Sequence, residues 1–125
     1  LGMVRERPLF GIGPDTFRLR YGYWMGYERF DPHIHTNNQV IEFLVGSGII
    51  GLGGFLLFSA TLAVQVWQLL KSQTGRMWHW HFGLALLLAI WYIHGMVDSF
   101  WQFTPTYILF WLLVSLAIVP AKLAK

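Results

Sequence analysis

Charged side chains are frequent up to Glu42 and sparse after it. From Glu42 to Lys71, from Arg76 to Asp98 and from Asp98 to Lys122 the chain carries no Asp, Glu, Lys or Arg. Each gap holds about 20 or more largely apolar residues, the length that crosses a hydrocarbon core of roughly 30 Å. The pattern predicts three transmembrane helices, near residues 45–70, 79–97 and 105–119. Residues 1–42 mix arginines, acids, glycines, prolines and aromatics, and are expected to form an external loop. Within this leader Pro8 ends any preceding helix, and Gly11 and Gly13 make a turn. Pro14 opens a new helix with Asp15 in its first turn, where the helix dipole favours an anion. Phe17, Tyr21 and Trp24 follow at helical spacing with Arg18 and Arg20 on other faces, so a short amphipathic helix on the membrane surface is expected.

The expected fold class is therefore all-α, a polytopic integral membrane protein fragment. Residues 43–125 would be the carboxy-terminal part of a larger membrane domain, with further helices on its amino-terminal side. Composition agrees: 55% of the residues are hydrophobic and 12% charged, against about 25% charged in an average soluble domain. The loop KSQTGR, with Lys71 and Arg76, and the tail, with Lys122 and Lys125, carry the basic residues expected on the cytoplasmic side, which leaves the leader and residues 99–104 external. Trp67, Trp78, Trp80, Trp101 and Tyr107 are spaced as interfacial anchors. The absence of cysteine removes disulfides and thiolate metal sites. A net charge of +3 without a Lys/Arg block gives no reason to expect nucleic acid.

Five arginines in the leader, Arg5, Arg7, Arg18, Arg20 and Arg29, run against the positive-inside pattern. They are either a solvated loop balanced by four acids or a set for an anionic ligand, since guanidinium forks bind phosphate oxygens bidentately. GIGPD lacks the third glycine, the GK[ST] ending and the flanking strand of a nucleotide loop. His33 and His35 have the i, i+2 spacing that brings imidazoles together only on an extended segment, with Asp31 or Glu42 as the remaining ligand candidates, so no metal site is expected. His79 and His81 in WHWH are expected to be interfacial, His94 to make a buried polar contact, and Asp98 to snorkel or cap the end of the second helix. Glu42 shares a face with Asn38 and needs a partner just inside the interface, for which a leader arginine is the candidate. Gly46, Gly48, Gly51, Gly53 and Gly54 allow close helix packing, and also leave backbone accessible near a site.

The order PLFGIGPDTF, then an aromatic-rich helix, then HTNNQVIEFLVGSGIIGLGGF, then HGMVDSFWQFTPTYILFWLLVSLAI, resembles the carboxy-terminal region of the O-antigen ligase and polymerase superfamily. The resemblance spans most of the chain. It implies a multi-pass enzyme of the bacterial inner membrane with a periplasmic catalytic face. Its donor would be a saccharide on undecaprenyl diphosphate, its acceptor a growing glycan or the lipid A core, and membrane lipid its surroundings. The family's histidine position falls on Asn37, two residues after His35. Both a takeover of the role by His35 and a member lacking the histidine are open.

A glycosyl diphosphate brings its own leaving group, so the protein need only neutralise charge and activate an acceptor hydroxyl. Arginines do the first without a metal or cofactor, and a neutral histidine does the second. His35 is the expected catalytic group. Arg5, Arg7, Arg18 and Arg20 are the diphosphate candidates, and Asn37, Asn38, Gln39 and Glu42 line the sugar side. The competing expectations are a flippase or transporter segment and a non-catalytic membrane assembly subunit.

Overall fold

The computed structural model describes residues 2–29, 31, 33–98, 101 and 103–118. Among them the chain is all-helical: α1 (Gly2–Glu6), α2 (Phe17–Met25), α3 (Gln39–Ser72), α4 (Gly75–His94) and α5 (Thr104–Ile118). The short α1 stops before Pro8, whose ring cannot continue a helix. The three long helices fall where the uncharged gaps put them, with shifted ends. α3 starts at Gln39 because Asn38 caps it, accepting from the Val40 and Ile41 backbone N–H groups at 3.0 and 3.1 Å. α4 ends at His94 and not near Val97, and Asp98 lies in the turn beyond, its N–H donating to the His94 carbonyl at 3.0 Å. Lys122, Lys125, Ser99, Phe100 and Gln102 lie outside the described residues.

Among the described residues α3 alone combines the length and apolarity needed to cross a bilayer; α5 is apolar over 15 residues. Leu62 and Val66 of α3, Leu84, Leu88 and Trp91 of α4, and Phe110, Leu113, Val114 and Ala117 of α5 form one buried cluster. Phe110, fully buried, sits at its centre. Its ring centroid lies 4.3 Å from that of Trp91 and 4.9 Å from that of Trp101. Trp101 thus packs into this aromatic cluster. Trp67 and Trp80 are exposed, and Lys71 Nζ stands 4.8 Å above the Trp67 ring. His81, expected at an interface, is 2% exposed with Nδ1 at 2.8 Å from the Met77 carbonyl, whereas His94, expected to be buried, is exposed.

Two features of the leader depart from expectation. α2 begins at Phe17, and Asp15 precedes it with φ 57, because the chain must turn away from α3 before the helix can start. Phe17, Tyr21, Trp24 and Met25 line a groove with Met3, Ile41 and Val45, but Leu19 and Tyr23 are exposed around the rest. The helix is not amphipathic; its apolar residues spread over its whole circumference.

The other feature is a break inside α3. Gly48 has φ 67 and ψ −166, a backbone conformation open essentially to glycine alone. In an unbroken helix Ile49 and Ile50 would donate to the carbonyls of Val45 and Gly46. Here Ile49 N–H donates to Pro8 O at 2.9 Å and Ile50 N–H to Leu9 O at 3.2 Å. The released carbonyls of Val45 and Gly46 accept from Ile12 N–H at 2.9 Å and Gly13 N–H at 3.0 Å. The leader thus pairs four backbone groups at the break. Such an approach requires glycine on both sides: a Cβ on Gly11 would lie 2.5 Å from the Gly46 carbonyl carbon, and one on Gly48 would strike the Leu9 carbonyl. Gly46 and Gly48 therefore pack against the leader backbone and not against another helix, while a Cβ on Gly53 or Gly54 would meet open space.

Candidate functional site

The docked leader carries Pro14 and Asp15 to the first turns of α3, and Trp101 closes the far side. Together with Glu42, Phe43, Gly46 and Ser47 they line a cleft of about 250 Å³. One wall is aromatic, with the Phe43 and Trp101 rings edge to face at 5.5 Å. The other is acidic.

Asp15 sits between Arg18 and His35. Arg18 Nε donates to Asp15 Oδ1 and its NH2 group lies 2.7 Å from Oδ2, a bidentate pair. His35 Nδ1 is 3.9 Å from Asp15 Oδ1, within charge-pair range and too long for a hydrogen bond. The Arg18 hydrogen bond holds the Asp15 carboxyl below its ordinary value, and the His35 charge adds to that in a minor way. The same bond raises Arg18 above its ordinary value. The His35 side chain is 18% exposed, and its Nδ1 is buried without a hydrogen-bond partner among the described residues. Its ring meets Phe103 edge to face at 6.4 Å.

Glu42 is 8% exposed. Its partner is not an arginine but Thr36, whose hydroxyl lies 2.9 Å from Oε2; Oε1 has no hydrogen-bond partner among the described residues. Thr36 was not among the residues singled out from the sequence. The only signal for it was a hydroxyl just ahead of the helix cap, a position where Ser and Thr often bond locally.

The asparagines and glutamine divide into separate roles. Asn38 is the cap of α3, and its Nδ2 also donates to Met96 O at 2.9 Å. Gln39 is 1% exposed; its backbone N–H donates to Gly95 O at 2.8 Å, and its side chain meets the Tyr92 carbonyl and the Trp101 indole N–H. Both hold α3 against the end of α4. Asn37 is exposed with φ 51, in the left-handed region that asparagine tolerates.

The arginines also separate. Arg18 is committed to Asp15, and Arg20 reaches Glu6 at 3.4 Å on the surface. Arg5 and Arg7 are exposed at the end of α1. His33 bonds Asp31 at 2.9 Å, so the two leader histidines turn to different carboxylates, and the His33 hydrogen bonds lower the Asp31 carboxyl. Among the described residues no three His, Asp or Glu side chains gather as a metal site would require.

The arrangement offers a histidine steered by a carboxylate, a second buried carboxylate with an open acceptor, and an aromatic wall. This is chemistry suited to holding and deprotonating a hydroxyl-rich molecule. No protein-family profile, curated protein or solved structure matches this chain.

Proposed function

We propose that the chain is part of an envelope glycosyltransferase of the O-antigen ligase or polymerase type. On this reading it moves a saccharide from undecaprenyl diphosphate to a glycan or lipid A core hydroxyl at the periplasmic face of the inner membrane. The observation that carries the proposal is the cleft at the mouth of α3, where Asp15 and Glu42 face the Phe43–Trp101 wall, with Arg18 paired to Asp15 and His35 Nδ1 3.9 Å from it. Support for the membrane setting comes from the length and apolarity of α3 and from the exposed Leu57, Leu87, Ile90, Ile93, Ile108 and Leu112 on the three long helices. In water such a surface is an aggregation liability, whereas acyl chains solvate it.

In the proposed reaction the acceptor oxygen attacks the anomeric carbon of the donor. The bond from that carbon to the diphosphate oxygen breaks, and undecaprenyl diphosphate leaves. The acceptor proton passes to His35, whose Nδ1 faces Asp15 at 3.9 Å, so that the opposite ring nitrogen serves as base. Glu42 Oε1 accepts from a second sugar hydroxyl. Arg5 and Arg7 are better placed than Arg18 and Arg20 to meet the diphosphate, because the latter already hold carboxylates. The test is transfer from a lipid-diphosphate saccharide by the full-length protein in vesicles. His35→Ala is expected to lower the rate by about 10²–10⁴-fold with membrane insertion unchanged. Transfer at the unmodified rate would remove His35 from the mechanism.

A further inference from the structure

Residues 8–14 read PLFGIGP, without one charged or hydrogen-bonding side chain, and charge resumes at Arg7 on one side and Asp15 on the other. A loop bathed in water has no need of such a run. Leu9 is 55% and Phe10 72% exposed, and Ile49 and Ile50, whose N–H groups bond Pro8 and Leu9, are 56% and 55% exposed. An apolar surface thus continues from the helix onto the docked leader.

The depth of that surface follows from α3. If about 20 residues span the hydrocarbon and the span is centred between Glu42 and Lys71, it begins close to the break at Gly48. Irregular backbone is tolerated at that level where it is buried against protein. At the break four backbone groups of α3, two donors and two acceptors, pair with Pro8, Leu9, Ile12 and Gly13, so one edge of the segment is covered by α3.

We propose that residues 8–14 are a re-entrant segment. It dips into the outer-facing leaflet and places Leu9 and Phe10 against lipid acyl chains, so the leader is anchored in the bilayer at the side of α3. The inference rests on the reading of α3 as a membrane span. It assigns the exposed Leu9, Phe10, Ile49 and Ile50 to lipid and makes the membrane itself part of what holds Asp15 at the cleft.

The chain has no cysteine, so single-cysteine variants of the full chain can be read directly. Phe10→Cys, Leu9→Cys, Glu28→Cys and Leu57→Cys are reconstituted in phosphatidylcholine–phosphatidylglycerol vesicles. Each is tested with a membrane-impermeant maleimide and, after fluorophore labelling, with nitroxide-bearing lipids. Residues 9 and 10 are expected to react at least about tenfold more slowly than residue 28 and to be quenched by the shallow lipid nitroxide, as for groups inside the hydrocarbon boundary. A smaller difference overturns the proposal. So does shielding from both reagents, which would mean that protein covers the segment. Leu57 distinguishes the two levels: rapid maleimide reaction there overturns the span itself, whereas a shielded Leu57 beside a reactive Phe10 overturns only the re-entrant segment.

Discussion

Thr36 has one hydroxyl proton and two oxygens at 2.9 Å, the Asn38 carbonyl and Glu42 Oε2. It is the only described hydrogen-bond partner of a carboxylate that is 8% exposed. Thr36→Val keeps the shape and removes the bond, and is expected to cost about 1–3 kcal/mol in denaturant unfolding of the purified protein; unchanged stability would show that Glu42 is held otherwise. Asp15 gives a pH signature. Its folded carboxyl titrates below 3.8 because of Arg18. The pair therefore contributes stability above the ordinary aspartate range and loses it as pH falls through the lowered value. Carbon-13 titration of the Asp15 carboxyl should give a midpoint below 3.8, moving up in Arg18→Gln. At this scale the sequence made His35 and Glu42 visible as chemistry. It could not show that the side-chain amides of Asn38 and Gln39 are taken up by Met96 and Tyr92, because those partners lie more than fifty positions away along the chain.

At the scale of elements, charge spacing located α3, α4 and α5, since lipid-length apolar runs leave few alternatives. The start of α3 moved because Asn38 caps it and the Gln39 side chain finds the Tyr92 carbonyl, a partner distant in sequence. The break at Gly48 was hidden for a different reason. Helix packing and loop docking both ask for small residues, and nothing local separates them; the hint was the paired GIG at residues 11–13 and GSG at 46–48. Substitution separates them cleanly. Gly48→Ala is expected to cost roughly 1–3 kcal/mol from the backbone conformation alone and to undock residues 8–13. Gly53→Ala, facing open space, should be neutral or stabilising by up to about 1 kcal/mol. Equal effects in thermal unfolding would mean that the leader does not dock at the break.

For the whole molecule, the cleft is a joint product of three parts that share no covalent neighbourhood: the docked leader, the first turns of α3, and the aromatic cluster that brings Trp101 over from the approach to α5. None of these parts makes a cleft alone, which is why residue types along the sequence did not disclose its walls. The aromatic cluster gives the cleft a rigid side, because Trp101 is braced by Phe55, Trp91 and Phe110 at centroid distances of 6.0, 5.0 and 4.9 Å. The leader side is held to α3 by four backbone hydrogen bonds at the break. Motion that admits a substrate is accordingly expected from the leader.

The clamp between Gln39 and Gly95 also bears on the order in which the protein is made. The Gln39 backbone N–H ends on the Gly95 carbonyl, and the Asn38 side chain on Met96. These acceptors emerge from the ribosome after all of α3 and α4. During synthesis the first turn of α3 thus stays incomplete until the following helix has been threaded back beside it. Asn38 Oδ1 can cap Val40 and Ile41 at once, but an arrest between the two helices would leave the Gln39 N–H without its acceptor, so on the membrane reading proposed above α3 and α4 are expected to insert as a hairpin.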